Sequence, residues 1–330
     1  MNNLRIGILG SGSWASAIAK ILLVNNDEIH WYIREPEIIE NLKNYGYNSQ
    51  YLSSTYFDIK KLKLYNTVNE LVRNADLIII VIPSAFLENE LKKITVDVSD
   101  KFFVNAVKGL IPSENIIVSD YLQKEFKITD KQIASITGPC HAEEVAQERL
   151  SYLTIASPSN DLAAFVSKNL NNRFISTITS NDLEGTQWAS VMKNIYALAA
   201  GVGHGLRYGD NYLAVLISNA AQEMERFLNA INPIKRDIKA SAYLGDLLVT
   251  AYSQFSRNRT FGNYIGRGYS VQATQAEMLM VAEGYYATKS IYEINQNLKT
   301  SMPIVETIYN ILYQSKNPLQ EFEKLNQSLL

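Results

Sequence analysis

The chain has 330 residues, 47% of them hydrophobic, and a formal net charge of -2. That length exceeds the size at which single cores stop growing, so two domains are expected, and the near-neutral charge supplies no field for nucleic acid or an anionic membrane surface. The single cysteine, Cys140, excludes an intramolecular disulfide and a multi-cysteine zinc site, and three histidines leave no histidine-rich metal site, so no metal is expected.

Arg5 followed by apolar residues imitates a secretory signal, but Gly10 to Ser13 breaks the run after about five residues. The longest strongly apolar stretch, "LIIIVI" from Leu77 to Ile82, falls far short of the roughly 20 residues that span a bilayer. The expectation is a cytoplasmic protein whose partners are small molecules or other subunits, with neither nucleic acid nor membrane among them.

The first strand candidate, "LRIGIL", runs into "GSGSWA", a G-x-G-x-x-A variant of the dinucleotide fingerprint. Arg5 to Leu9 reads as a strand ending at Gly10, and Ser13 to Val24 as a helix. Gly10, Ser11, Gly12, Ser13 and Trp14 therefore fall where backbone amides and a helix N-terminus meet a pyrophosphate. Ala15 replaces the third glycine, whose task is helix packing. The second strand, "EIHWYI", ends at Arg34 rather than at the acid that usually holds an NAD ribose. A cation there suits a 2'-phosphate, so NADPH is expected over NADH, although neighbouring Glu35 works against it.

Further runs follow: "LIIIVI", "FFVNAV", "IASIT", "LTIA" and "FISTIT". Near-continuous apolar strands between helical patterns indicate a mostly parallel sheet covered on both faces. Ligands in such sheets bind beyond the carboxyl ends of the strands. Pro83-Ser84, Lys108-Gly109 and Gly138-Pro139-Cys140-His141-Ala142 occupy those places. Lys108 reads equally well as a surface lysine, and Cys140 as a small buried residue rather than a nucleophile.

After Asn181 the β-rich runs stop, and "TQWASVMKNIYALAAG", "NYLAVLISNAAQEMERFLNAI" and "QAEMLMVAEGYYATKSIYEINQNL" show helical periodicity. The domains expected are 1–181, an α/β dinucleotide-binding domain, and 182–330, all-α. Asp182 is placed to cap the first long helix.

On that helix Lys193 is surrounded by Ala189, Ser190, Tyr196, Ala197 and Ala200, none of which pairs it. It either snorkels to water or is desolvated, and the small residues around it favour the second, making it a candidate proton donor. Asp246, set in "YLGDLLVT", needs a cation, and Lys193 is the natural one. Ser256, Arg257, Asn258 and Arg259 in "SRNRTFG" form an anion-binding cluster or else a solvated polar turn.

Together "GSGSWASAIA", "ADLIIIVIPS", "VKGL", "GPCHAEEVA", "MKNIYALAAGVGHGL", "LGDLLVT", "SRNRTFG" and "VAEG" resemble, in order, the bacterial NAD(P)-dependent glycerol-3-phosphate dehydrogenase family. The resemblance covers nearly the whole chain. It implies a Rossmann domain followed by a helical domain of the 6-phosphogluconate dehydrogenase C-terminal type. The activity implied is NAD(P)H-dependent reduction of dihydroxyacetone phosphate to sn-glycerol 3-phosphate, which feeds phospholipid synthesis.

Carried over, Lys193 is the general acid/base, with Lys108 and Asp246 completing the site around the reacting carbonyl. Gly138, Cys140, Asn194, Thr250, Ser256, Arg257 and Asn258 are implied on the substrate. Ser13, Trp14, Arg34, Ala142, Arg257, Val281 and Glu283 are implied on the cofactor, joined by Gly10, Ser11, Gly12, Pro83 and Lys108. The chain departs from the family at Ala15, at Cys140 where Ser or Thr is usual, in "NSQYLSSTYF" and in "SAYLGD". Closure of the helical domain and a homodimer through C-terminal helix faces are further expectations. The rivals are a hydroxy-acid reductase of the same architecture, which has no need of the "SRNR" cluster, and a cofactor-binding sensor without turnover.

Overall fold

The computed structural model describes residues 4–278 and 282–329. It divides into two compact units: one holds the chain up to Val107 together with Ile116–Leu183, the other Lys108–Asn115 with the chain from Glu184 onward.

The first unit is built on one eight-stranded sheet: β1 (Ile6–Leu9), β2 (Ile29–Tyr32), β3 (Leu62–Tyr65), β4 (Leu77–Ile80), β5 (Phe102–Asn105), β6 (Ile133–Thr137), β7 (Ser151–Ala156) and β8 (Ile175–Ser180). Their order is β3-β2-β1-β4-β5-β6-β7-β8, and every pair is parallel except β6 with β7. β1, β2, β4 and β6 are buried along their whole length, the pattern of strands covered on both faces. The run "LKLY" of β3, at the edge, was not among the expected strands. It is short, interrupted by Lys63 and only partly buried, so it lacks the apolar signal of the central strands.

The sheet core gathers Ile8, Ile18, Ile21, Trp31, Ile79, Val104, Ile136 and Ile155, each at most 2% exposed. A side chain of this size contributes about 1.5–3 kcal/mol when fully buried.

The second unit is helical. Leu183–Gly205 begins directly after Asp182 and is followed by Asp210–Ile231, Asp246–Tyr252, Arg257–Gly266, Val271–Glu277, Glu283–Leu298, Pro303–Tyr313 and Pro318–Asn326. Helices Leu183–Gly205 and Arg257–Gly266 touch backbone to backbone: a Cβ on Gly262 would lie 2.0 Å from the carbonyl oxygen of Leu198. Residue 275 to residue 298 reads as a single periodic run, yet the structure breaks it. One helix ends at Glu277 with Met278 extended, and the next starts at Glu283. The new helix start carries a bond that periodicity does not register, from a side chain of another helix, described below.

Candidate active site

In the first unit β1 ends at Gly10, whose φ of +136° is open to glycine and whose Cβ would sit 2.3 Å from the carbonyl oxygen of Val81. Gly12 has open space where a side chain would project, and it precedes helix Ser13–Asn25, whose first amides have no intrahelical acceptor. Ala15 is fully buried, the packing task of the absent glycine. Close backbone approach at Gly12 and free amides at a helix start fit a pyrophosphate.

Three side chains fasten the loop from later in the chain. The Trp31 indole donates to the Gly10 carbonyl at 2.7 Å. The Asn48 amide, fully buried, donates to the Ser11 carbonyl and to Ser16 Oγ, both at 3.0 Å. Its Oδ1 accepts the amides of Gln50 and Tyr51. Ser11 Oγ in turn donates to Glu35 Oε2 at 2.7 Å. Sequence reasoning missed Trp31 and Asn48, though Asn48 opens the divergent "NSQYLSSTYF" and was a usable signal.

Arg34 donates through Nε and Nη2 to Glu35 Oε1, at 3.1 and 2.7 Å. Burial pushes the Glu35 carboxyl up, but the bonds from Ser11 and Arg34 outweigh it and hold the group below its ordinary value. Pro83 is exposed after β4, ahead of helix Ser84–Leu91. Gly138 and Cys140 follow β6, and Ala142 opens a short helix; the Cys140 side chain packs on the sheet core as a small apolar group. Residues after β1, β2, β4 and β6 share one edge of the sheet, because these strands run parallel.

The chemistry-bearing cluster lies within the second unit. Lys193 Nζ donates to Asp246 Oδ1 at 2.6 Å and to Thr250 Oγ1 at 2.8 Å. Lys108 Nζ reaches Asp246 Oδ2 at 3.1 Å. Lys193 is 5% exposed, so it does not snorkel, and Asp246 is 1% exposed. A turn of π-helix, Ser241–Gly245, delivers Asp246 to the start of its helix, and Thr250 lies one turn further on the same face. Thr250 Oγ1 also donates to the Asp246 carbonyl at 2.6 Å. Burial alone would raise the Asp246 pKa; the charges of Lys108 and Lys193 and their hydrogen bonds overcome it, leaving the carboxyl below its ordinary value. Two ammonium groups converge on one buried carboxylate, an arrangement suited to a developing oxyanion.

Asn194 and Asn258 are brought together as well, bonded to each other and to the backbone. Asn194 Nδ2 donates to the Lys108 carbonyl at 2.9 Å, and Asn258 Nδ2 donates to Asn194 Oδ1 at 2.9 Å. Asn258 Oδ1 accepts the Gly284 amide at 2.8 Å, which supplies the break before helix Glu283–Leu298 with its cap. Lys108 belongs to the same unit as Asn194 and Asp246. Ser256 caps helix Arg257–Gly266 by accepting the Arg259 amide, and Arg257 stands exposed in the first turn. Glu283 is the first residue of its helix, and Val281 lies outside the described residues.

Among the described residues, no helix is long and apolar enough to cross a membrane. Residues 5–163 match the family model for the NAD-dependent glycerol-3-phosphate dehydrogenase N-terminus, and residues 182–323 match that for the C-terminus. A glycerol-3-phosphate dehydrogenase [NAD(P)+] of Streptococcus sanguinis is 32% identical over 96% of this chain and 94% of its own. That of Chlorobium limicola is 31% identical over 96% of each. The crystal structure of a glycerol-3-phosphate dehydrogenase from Coxiella burnetii is 27% identical, with a TM-score of 0.88 over 98% of both chains. With both halves matched in order and the relatives spanned almost end to end, the chain belongs to the NAD-dependent glycerol-3-phosphate dehydrogenase family.

Proposed function

We propose that Lys193 is the general acid in the reaction of this family, the NADH- or NADPH-dependent reduction of dihydroxyacetone phosphate to sn-glycerol 3-phosphate, a precursor of glycerophospholipids. The observation that carries the assignment is the Lys193 ammonium itself: 5% exposed, anchored at 2.6 Å to a buried carboxylate. Asp246 keeps that ammonium charged and fixed in direction, and Thr250 gives it a second anchor. Lys108, on the other carboxylate oxygen, adds the second positive charge against which an alkoxide forms.

When bound, the nicotinamide supplies the hydride; Gly10 to Trp14 would hold its pyrophosphate. Lys193 delivers the proton to the C2 oxygen, and in the reverse direction takes it back. Arg257 offers a guanidinium to the phosphate from the first turn of its helix, whose start Ser256 fixes. Asn194 and Asn258 hold the Lys108 backbone in register with that helix. A homodimer is part of the same proposal and is read by light scattering.

The deciding measurement is oxidation of NADH or NADPH by the purified chain with dihydroxyacetone phosphate as acceptor, beside dihydroxyacetone. Turnover that depends on the phosphate supports the assignment. Equal rates with the unphosphorylated ketone, or none with either, overturn it.

A further inference from the structure

Between the glycine loop and the end of β2 lies a carboxylate that the family resemblance assigns no task. Glu35 follows β2 by three residues, and its Oε2 accepts a hydrogen bond from the Ser11 hydroxyl, inside the loop, at 2.7 Å. The loop and the strand end are already neighbours, since the Gly10 amide donates to the Tyr32 carbonyl. In doubly wound sheets the group at this place meets the ribose next to the adenine, where NADH carries a 2'-hydroxyl and NADPH a 2'-phosphate.

Arg34, taken alone, suits the phosphate. Its guanidinium is bound to Glu35 Oε1 by two hydrogen bonds, so its charge is matched before any cofactor arrives. The two side chains also differ in depth: Arg34 is 58% exposed and Glu35 only 17%, which puts the negative member on the inside, against the loop. A second carboxylate, Glu90, is buried nearby, held by Tyr32 at 2.9 Å and by Lys93 at 2.6 Å, and it too acts on Arg34. Pro36 at the first position of helix Pro36–Tyr45 fixes the backbone of Glu35 in an extended conformation at the positive end of the helix.

We infer that Glu35 is the residue that selects the cofactor, favouring NADH over NADPH. Its carboxylate accepts a ribose hydroxyl and repels a phosphate, while Arg34 tempers the repulsion from the solvent side. This rests on the dinucleotide reading of the glycine loop, and the test separates the two.

The experiment is calorimetric titration of the whole chain, in the wild-type form and as Glu35→Gln and Arg34→Ala, with NADH and with NADPH. Wild-type protein is expected to bind NADH about tenfold tighter or more. Glu35→Gln narrows that ratio by about tenfold, and Arg34→Ala widens it, because the carboxylate is then unopposed. A general disturbance of the loop would move both variants the same way. Tighter or equal NADPH binding by the wild type overturns the proposal, as do two variants that shift the ratio in one direction or leave it unmoved. Failure of the wild type to bind either cofactor overturns the dinucleotide reading itself and the selection with it.

Discussion

Two carboxylates in the helical unit are equally removed from water and behave oppositely. Asp246 is 1% exposed and Glu223 is 0% exposed, and burial pushes both toward the neutral form. Asp246 faces two ammonium groups and ends below its ordinary pKa. Glu223 faces the backbone amides of Ile304 and Val305, at 2.9 and 3.1 Å, at the start of helix Pro303–Tyr313. Those two bonds favour its charged form without overcoming desolvation, and its pKa is pushed up to about 8. Burial alone therefore does not decide whether a carboxylate is charged; the cations around it do. One group anchors two lysines, whereas the other closes the start of a helix.

The sharpest way to break this contrast is to remove Lys193, the proposed proton donor. Lys193→Ala is expected to lower kcat by about 10²–10⁴-fold, measured by cofactor oxidation, while NADH affinity measured separately stays close to wild type. Near-normal turnover would reduce the Lys193–Asp246 pair to a structural ion pair, no different in kind from the Glu223 contact.

Next in size is Asp246→Asn, which leaves two ammonium groups without their counter-charge. Breaking a buried pair in this way costs about 3–5 kcal/mol of stability, read from denaturant unfolding near neutral pH. The pH dependence has a definite sign. The folded pKa of Asp246 is depressed, so its contribution is present above the ordinary carboxyl value near 3.9 and is lost as pH falls through the folded value. The gap between wild type and variant should then start to narrow below about pH 4 and close below the folded value, and a gap that does not narrow on acidification would place the damage in packing rather than charge.

How far the site could be read in the sequence follows the same division between local and distant causes. The glycine loop was legible because strand, glycines and helix are contiguous. Lys193 and Asp246 were legible as a pair because a charge inside an apolar helix requires a partner, even one 53 residues away. Trp31, Asn48 and Glu35 were not read as supports of the loop, since each contributes a hydrogen bond whose geometry exists only once β1 and β2 are side by side. The new helix start at Glu283 was hidden for a like reason: Asn258 accepts the Gly284 amide from another helix. Asn194 and Asn258 were expected on the substrate; the structure shows their amides bonded to each other, to Lys108 and to Gly284. Periodicity reports which face is buried and is blind to what a buried amide bonds.

Glu223 gives the smallest effect and the clearest sign. Its unfolded pKa is near 4.3 and its folded pKa about 8, so between those values the folded chain holds a proton that the unfolded chain has lost. Stability from this group accordingly falls as pH rises from about 5 to about 8, then levels off once the folded carboxyl ionises too. Arg226, which favours the charged form, and Glu306, which opposes it, act on the same carboxyl. Glu223→Gln removes the titration and keeps a carbonyl oxygen for one of the two amides. The variant should gain roughly 3.5 kcal/mol on the wild type between pH 5 and pH 8, measured as the pH dependence of unfolding free energy. Two parallel profiles would mean that Glu223 is ionised throughout, and the contrast with Asp246 would then be one of hydrogen bonding alone.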